Sequence, residues 1–411
     1  MNQDIQDLLT RIGPGTRMGG LLRRYWHPVA GSAELAPGEA LRVRLLGEDL
    51  VLFRTASGRL GLLEESCPHR RASLAYGEVD GETLLCPYHG WTFAPDGRCI
   101  AMPAEQDQKP ALLERCRALA YRAEELGGLI FAYLGPDPAP LLPRWDLLVW
   151  EGGLRDIGQA MIPCNWLQIM ENSVDPTHVE WLHGRHLAWI RERQAQPGPT
   201  HYRRHQTKIG FDAFEYGIIK RRVLEGGSEE DDDWKVGHPL LFPLMVRVGA
   251  GRQHRLQIRV PVDDTHTLHY WYACYRPRPG QASPDQDQIP IYDVPWQDAQ
   301  GEFITDFVDG GDIMAWVTQG PIADRTREQL VASDAGIVMY RRMLLEELAR
   351  TEAGGDPLGV IRDPETNRII ELPQERDKLG GGESFLRESV AMSHVRYSPI
   401  LGDICALLGD A

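Results

Sequence analysis

The chain has 411 residues, 42% apolar and 25% charged, which excludes collagen-like, coiled-coil and wholly disordered architectures; at about 150 residues per domain the length predicts two or three domains. Lys and Arg total 44 against 59 Asp and Glu, a formal charge of −15, and phosphate repulsion makes so acidic a chain a poor general binder of nucleic acid. No apolar run approaches the ~20 residues of a membrane span, the N-terminus has no apolar signal core, and seven cysteines in so long a chain are no disulfide framework. A cytoplasmic chain with neither membrane nor nucleic acid as partner is expected.

From about Gly38, short alternating runs at Leu41–Leu46, Asp49–Arg54, Leu60–Glu64 and Leu129–Leu134, separated by Gly-containing turns, predict a small antiparallel β domain. Inside it stand Ser66-Cys-Pro-His-Arg70 and Leu85-Cys-Pro-Tyr-His-Gly-Trp91. Each offers one thiolate and one imidazole, and the sixteen residues between His69 and Cys86 allow a strand, a turn and a returning strand. In a Rieske [2Fe–2S] centre two cysteines hold one iron and two histidines the other, a division that one Cys and one His per loop suits. Pro68 and Pro87 stiffen the loops, and Tyr88 is placed to hydrogen-bond towards a cluster sulfur. A Cys₂His₂ zinc site takes the same ligands, but usually pairs Cys with Cys and His with His along the chain. The other five cysteines (Cys99, Cys116, Cys164, Cys274, Cys405) lack histidines at such spacing and read as inert thiols.

Gly135-Pro-Asp-Pro-Ala-Pro-Leu-Leu-Pro143, with four prolines in nine residues, predicts an extended linker. Beyond it, 165–173 predicts a helix capped by Asn165. The segment Glu171-Asn-Ser-Val-Asp-Pro-Thr-His-Val-Glu-Trp-Leu-His183 follows, and two imidazoles with a carboxylate suit the facial triad of non-haem Fe(II) oxygenases. His178 and His183 are five apart, about 140° on an ideal α-helix, so a π-like turn near 180–182 is expected. Pro176 biases Asp175 away from helical backbone, which predicts a helix starting at Pro176 with Asp175 as its cap. Residues 201–275 predict a second antiparallel sheet. In it Arg203, Arg204, Lys220, Arg221 and Arg222 read singly as a solvated face, while one Arg could grip a substrate carboxylate. The acidic run 225–233 reads as a solvated hairpin tip, 304–319 and 336–351 as helices, and 354–382 as a long surface excursion. Asp306, Asp309 and Asp312 all compete as the distant carboxylate ligand, each otherwise a solvated charge on a helix face. His186 reads as solvent-facing or packed behind the site.

The two Cys/His segments resemble the signature of the Rieske non-haem iron aromatic-ring-hydroxylating oxygenases. Asn172-x₂-Asp175-x₂-His178-x₄-His183 resembles that family's mononuclear-iron motif, which usually has one more residue between Asn and Asp. The stretch Asp312 to Arg325 is similar to the phthalate 4,5-dioxygenase-like group. The resemblance implies an α+β chain: N-terminal segment 1–37, small antiparallel-β Rieske domain 38–143, and catalytic domain 144–411 with an antiparallel sheet and covering helices of helix-grip type. It implies Cys67, His69, Cys86 and His89 as cluster ligands, and His178, His183 and Asp312 as ligands of a mononuclear Fe(II). Asp175 is implied as a bridge from His178 to a Rieske histidine of a neighbouring subunit. The implied function is a terminal oxygenase that hydroxylates or O-demethylates an aromatic, carboxylated substrate with O₂. Electrons would come from an NAD(P)H-dependent reductase, with or without a ferredoxin, to a homotrimer or dimer of trimers. Alternatives are a Rieske electron carrier without oxygenase activity, or a Rieske monooxygenase for a non-aromatic or N-methyl substrate.

Overall fold

Strand Glu48–Arg54 is covered on both faces: Leu50, Val51, Leu52 and Phe53 are all fully buried. It lies inside a six-stranded antiparallel sheet in the order Trp26–Gly31, Leu129–Tyr133, Ala120–Leu126, Leu60–Glu64, Glu48–Arg54, Ala40–Leu45. A four-stranded antiparallel sheet of Glu78–Asp80, Thr83–Leu85, Thr92–Phe93 and Cys99–Ala101 completes this part. Val51, Phe53, Leu63, Leu74, Leu84, Phe93 and Met102 form one core, and Cys67 and Cys86 belong to it.

This computed structural model describes residues 1–409. The sheets above belong to a compact unit, Ile12–Leu142; a second unit is formed by Met1–Arg11 with the chain from Pro143 onward. Segment 1–37 is therefore divided. Helix Gln3–Thr10 is fastened to the larger unit, where Gln6 Oε1 accepts from Arg325 N (2.7 Å) and Thr10 O from Asn165 Nδ2 (3.0 Å). Strand Trp26–Gly31 pairs instead with Leu129–Tyr133. The proline-rich segment 135–142 contains neither helix nor strand, and Trp26 Nε1 donates to Pro140 O (3.0 Å).

The larger unit is built on an eight-stranded sheet in the order Gln206–Phe214, Gly217–Leu224, His238–Leu241, Met245–Ala250, Gln253–Asp263, His266–Tyr275, Leu154–Ile162, Ile291–Asp293. All pairs are antiparallel except the last. Helices Trp166–Val174, Val308–Val317 and Ala335–Glu352 cover it. Ile162, Ile169, Trp271, Phe307, Ile313 and Trp316 pack into one core between sheet and helices. The architecture is the expected α+β one.

Two expectations about loops are corrected. Residues 225–231 are exposed as expected, but Asp233, at the end of the run, is buried and pairs with Arg222 at 2.7 Å, because Arg222, inside the sheet, needs a counter-charge. The excursion 354–382 is at the surface only in part: 362–366 are exposed, but its later half turns inward. Ile370, Leu372, Glu375, Lys378 and Leu379 are buried, and Ile370 forms a bridge to Trp145; its apolar members are spaced too irregularly to mark them as core in the sequence.

Candidate metal centres

In the smaller unit two loops adopt the same conformation. Cys67 N donates to Ala72 O (2.8 Å) and Arg71 N to Cys67 O (2.9 Å); Cys86 N donates to Trp91 O (2.7 Å) and Gly90 N to Cys86 O (3.0 Å). The residue four after each cysteine, Arg71 (φ 62°) or Gly90 (φ 71°), is left-handed, a cost of roughly 1–2 kcal/mol for the arginine. Cys67 and Cys86 face the buried core, while His69 is exposed and His89 half-buried, their rings 4.6 Å apart. Burial pushes the Cys67 thiol up to about 12, and the neighbouring Cys86 thiol adds to this. Trp91 stacks on His69 (4.5 Å, 5° between planes), the exposed Tyr88 ring lies 3.9 Å from His89, and His89 Nδ1 is buried with no partner among the described residues. Two adjacent thiols, two adjacent imidazoles and an orphaned ring nitrogen fit a Rieske cluster.

In the larger unit, helix Trp166–Val174 starts at Asn165, whose Oδ1 accepts from Leu167 N (3.1 Å), and ends at Asp175. Asp175 Oδ1 accepts from Thr177 N (2.7 Å) and Thr177 Oγ1 (2.6 Å). This turn delays the next helix to His178 rather than Pro176. The following residues, Val179–His186, form a π-helix, longer than the expected turn. Its hydrogen bonds run i to i+5, so His178 and His183 face the same way, their rings 5.0 Å apart. Gly184 permits this packing, since a Cβ there would stand 2.5 Å from Tyr202 O.

Helix Val308–Val317 brings in the carboxylate. Asp312 Oδ1 lies 3.3 Å from His183 Nε2 and 3.9 Å from His178 Nε2, and has no hydrogen-bond donor among the described residues. One ligand atom from each of the three side chains falls within 4.8 Å of the others, a set of two imidazoles and one carboxylate that fits a mononuclear iron with open positions. Asp175 Oδ2 is 3.8 Å from His178 Nδ1, an ion-pair separation rather than a hydrogen bond. Burial raises the Asp175 carboxyl, but His178 and Thr177 outweigh it and hold it well below the usual range.

The competing aspartates are occupied elsewhere. Asp306 pairs with Arg396 (2.8 Å). Asp309 is no solvated charge: it is buried and meets His394 Nδ1 at 3.3 Å. Glu171 anchors the helix that leads to Asp175, accepting from Arg325 Nη2 and Arg341 Nε at 2.7 Å each. Glu171→Ala leaves two buried guanidinium groups short of a counter-charge. We expect a loss of about 3–5 kcal/mol in equilibrium denaturation; a midpoint equal to wild type would show that the network contributes nothing. His186 is half-buried and stacks on Trp189 (5.8 Å), outside the ligand set.

His178, His183 and Asp312 open into a cleft of about 640 Å³, open solvent at its mouth included, also lined by Lys220, Arg222, His238, Arg255, Gln257, Arg259 and Lys378. The solvated-face reading of Lys220 and Arg222 is thus overturned, since both are buried; Arg204 and Arg221 do bind backbone oxygens near the surface. Arg255, Gln257 and Arg259 also line the cleft without having been singled out in the sequence. Their period-two spacing against Leu256, Ile258 and Val260 was the available signal, but it describes a wet strand face equally well.

The Rieske [2Fe-2S] domain family matches residues 25–115, and the family described as LigXa C-terminal domain like matches 133–288 and 296–370. The 5,5'-dehydrodivanillate O-demethylase oxygenase subunit of Sphingobium sp. (strain NBRC 103272 / SYK-6) is 42% identical over 91% of this chain and 86% of its own. The phthalate 4,5-dioxygenase oxygenase subunit of Pseudomonas putida is 33% identical over 88% and 89%. Among solved structures, Pseudomonas putida CBB5 NdmA superposes with a TM-score of 0.60 at 21% identity (83% of this chain, 94% of that one). Dicamba monooxygenase bound to dicamba gives 0.57 at 20% (81% and 99%). The chain belongs to the Rieske non-haem iron oxygenases, as an oxygenase subunit. It is an oxidoreductase whose cofactors are a Rieske [2Fe–2S] cluster and a mononuclear iron, and it depends on a reductase for electrons. No helix among the described residues is long and apolar enough to cross a membrane.

Proposed function

We propose that this terminal oxygenase hydroxylates or O-demethylates an aromatic carboxylate. In this reading the small unit is the cluster domain, with Cys67, His69, Cys86 and His89 as ligands. The larger unit is catalytic, with His178, His183 and Asp312 holding the iron. Bound iron supplies the O₂ chemistry. Asp175 carries electrons to His178 from His89 of a neighbouring copy in a head-to-tail ring, a homotrimer or a pair of them. The donor is an NAD(P)H-dependent reductase, with or without a ferredoxin.

One observation carries the substrate assignment. Lys220, Arg255 and Arg259 line the cleft, are buried, and have no carboxylate within ion-pair distance among the described residues. Among the described residues Lys220 Nζ donates only to Ser173 O (2.5 Å), and Arg259 to Gln257. Buried cations require a counter-charge, and an anionic substrate provides one. The names of relatives agree: phthalate 4,5-dioxygenase, phenoxybenzoate dioxygenase and 3-chlorobenzoate-3,4-dioxygenase oxygenase components are 33%, 35% and 30% identical. The cationic wall disfavours a neutral non-aromatic substrate.

Burial, reinforced by Arg222 and Lys378 and opposed by Asp175, lowers Lys220 to about 7. Lys220 therefore loses its charge as pH rises through that value, and affinity for an aromatic carboxylate falls with it; a bound anion moves the transition upward. Lys220→Met is expected to raise KM for the acid about tenfold or more, the cost of a lost charge-assisted hydrogen bond, with little effect on its neutral methyl ester. Equal losses for acid and ester would contradict carboxylate recognition.

A further inference from the structure

Helix Val308–Val317 carries Asp312 on one turn and Trp316 on the next. Positions four apart share a face and helical side chains lean towards the N-terminus, so the Trp316 indole covers the turn that presents Asp312. Trp316 opens a line of buried rings. It stacks on His269 (5.6 Å, 27° between planes), His269 lies 4.2 Å from Trp271, and none of the three is more than 2% exposed. Neither ring nitrogen of His269 has a hydrogen-bond partner among the described residues, so this imidazole is packed between two indoles and fastens nothing. Trp271 pairs with Gly158 across one strand boundary, and Gly158 with Tyr292 across the next. Gly158 puts no side chain of its own between them. The space over it is taken by the His394 ring, which stacks on Trp271 at 5.2 Å and lies 3.1 Å from where a Cβ would stand. Tyr292 packs against the same core as Trp271 and Trp316. It is half-buried on Ile291–Asp293, the outermost strand of the sheet, and its Oη donates to Asp156 Oδ2 (3.1 Å). A phenol inside a protein gives up an electron only as its proton leaves, because the low dielectric opposes an unpaired cation. Asp156 is in place to take that proton.

Complete reduction of O₂ takes four electrons. In hydroxylation the reductase supplies two and the substrate the other two. When the bound molecule has no oxidisable position the last two are missing, and oxidising equivalents are left beside His178, His183 and Asp312. We propose that Trp316, Trp271 and Tyr292, with His269 as the bridge between the indoles, form an electron path that delivers the missing electrons from the sheet edge and so spares the ligands from oxidation. In each passage one electron moves inward from Tyr292 through Trp271 and Trp316. The phenolic proton moves to Asp156 and leaves a neutral phenoxyl radical on Tyr292. A thiol-class donor in solution returns the electron at the edge strand, and the phenol takes its proton back from Asp156. Two passages balance as O₂ + 2e⁻ + 2H⁺ + 2RSH → 2H₂O + RSSR, the two free electrons coming from the reductase. The path rests on the oxygenase reading and on His178, His183 and Asp312 as iron ligands, but not on the identity of the substrate.

The test adds hydrogen peroxide, which is O₂ already reduced by two electrons, to oxidised holoenzyme without an aromatic acid, and follows organic radicals by freeze-quench EPR. Expected in the wild type is a tyrosyl signal that narrows in protein made with ring-deuterated tyrosine and that an added thiol discharges. Tyr292→Phe removes one half-buried hydroxyl. In it the tyrosyl signal is lost, the radical stays on an indole, and oxygen adducts of Trp271 or Trp316 appear in peptide masses. Trp271→Phe loses the tyrosyl signal as well. Iron content and product formation from an aromatic acid stay at wild-type levels in both variants, which a merely structural role of these rings would not predict alongside a lost radical. A wild type that gives no tyrosyl radical overturns the path. So does a tyrosyl signal of undiminished yield in either variant. Tyr292→Phe and the peptide masses decide if Trp271→Phe does not fold, and adducts on neither indole then overturn the path. Absence of oxygen-coupled product in the wild type would instead overturn the oxygenase reading on which the path rests.

Discussion

Asp175→Asn is expected to cut steady-state turnover about 10–100-fold, the usual effect of losing a carboxylate behind a metal-bound histidine, while both metal centres stay loaded. The substitution is nearly isosteric. An Asn Oδ1 can still accept from Thr177 N and Oγ1, which now bind Asp175 Oδ1, so the turn between the two helices is kept. What changes is the group 3.8 Å from His178 Nδ1: an anion, held ionised although burial opposes it, becomes a neutral amide. If Asp175 joins His178 to the neighbouring cluster, the reductase still reduces the cluster at the wild-type rate, but the reduced cluster is reoxidised slowly when O₂ and substrate are added. Rapid-mixing absorbance of the cluster separates these steps. Turnover that persists with product and oxygen consumption still coupled would show that Asp175 is no more than a turn residue.

Asp312→Ala is expected to abolish product formation and to reduce iron from about three to about two atoms per chain, the cluster pair alone remaining. The predicted loss follows from the donor set. With Asp312 gone, His178 and His183 offer two neutral nitrogens and no charge to a divalent ion. Neither Asp309 nor Asp306 can substitute, since one is held by His394 and the other by Arg396. Labile sulfide and the reduced-cluster EPR signal should be unchanged, because Cys67, His69, Cys86 and His89 lie in the other unit. Retention of the third iron in this variant would show that the carboxylate ligand lies elsewhere.

The two loops of the smaller unit were readable because the residues proposed as cluster ligands are close together in the chain. Cys67 with His69 and Cys86 with His89 sit within segments whose prolines, Gly90 and closing hydrogen bonds are set by neighbours in the chain. The π-helix was readable for a similar reason: two histidines five apart share a face only if the helix is widened there. Asp312 was different. Asp306, Asp309 and Asp312 recur at a three-residue spacing, and what separates them is which distant cation, Arg396 or His394, reaches each one. The sequence alone held no such information, and the choice of Asp312 came from family resemblance. The cationic wall of the cleft was least readable, because Arg255 and Arg259 alternate with apolar residues as on any strand with one wet face, and Lys220 and Arg222 stand in a run of three cations with Arg221. Lys378 and Leu379, which line the same cleft, come from a segment that reads as surface loop.

Quantifying iron and acid-labile sulfide in anaerobically reconstituted wild-type protein decides whether one chain carries both a Rieske cluster and a mononuclear iron. About three irons and two sulfides per chain are expected, the third iron giving a ferrous signal perturbed by an aromatic carboxylate. Two irons and two sulfides, with no signal that responds to the acid, would contradict it and leave an electron carrier.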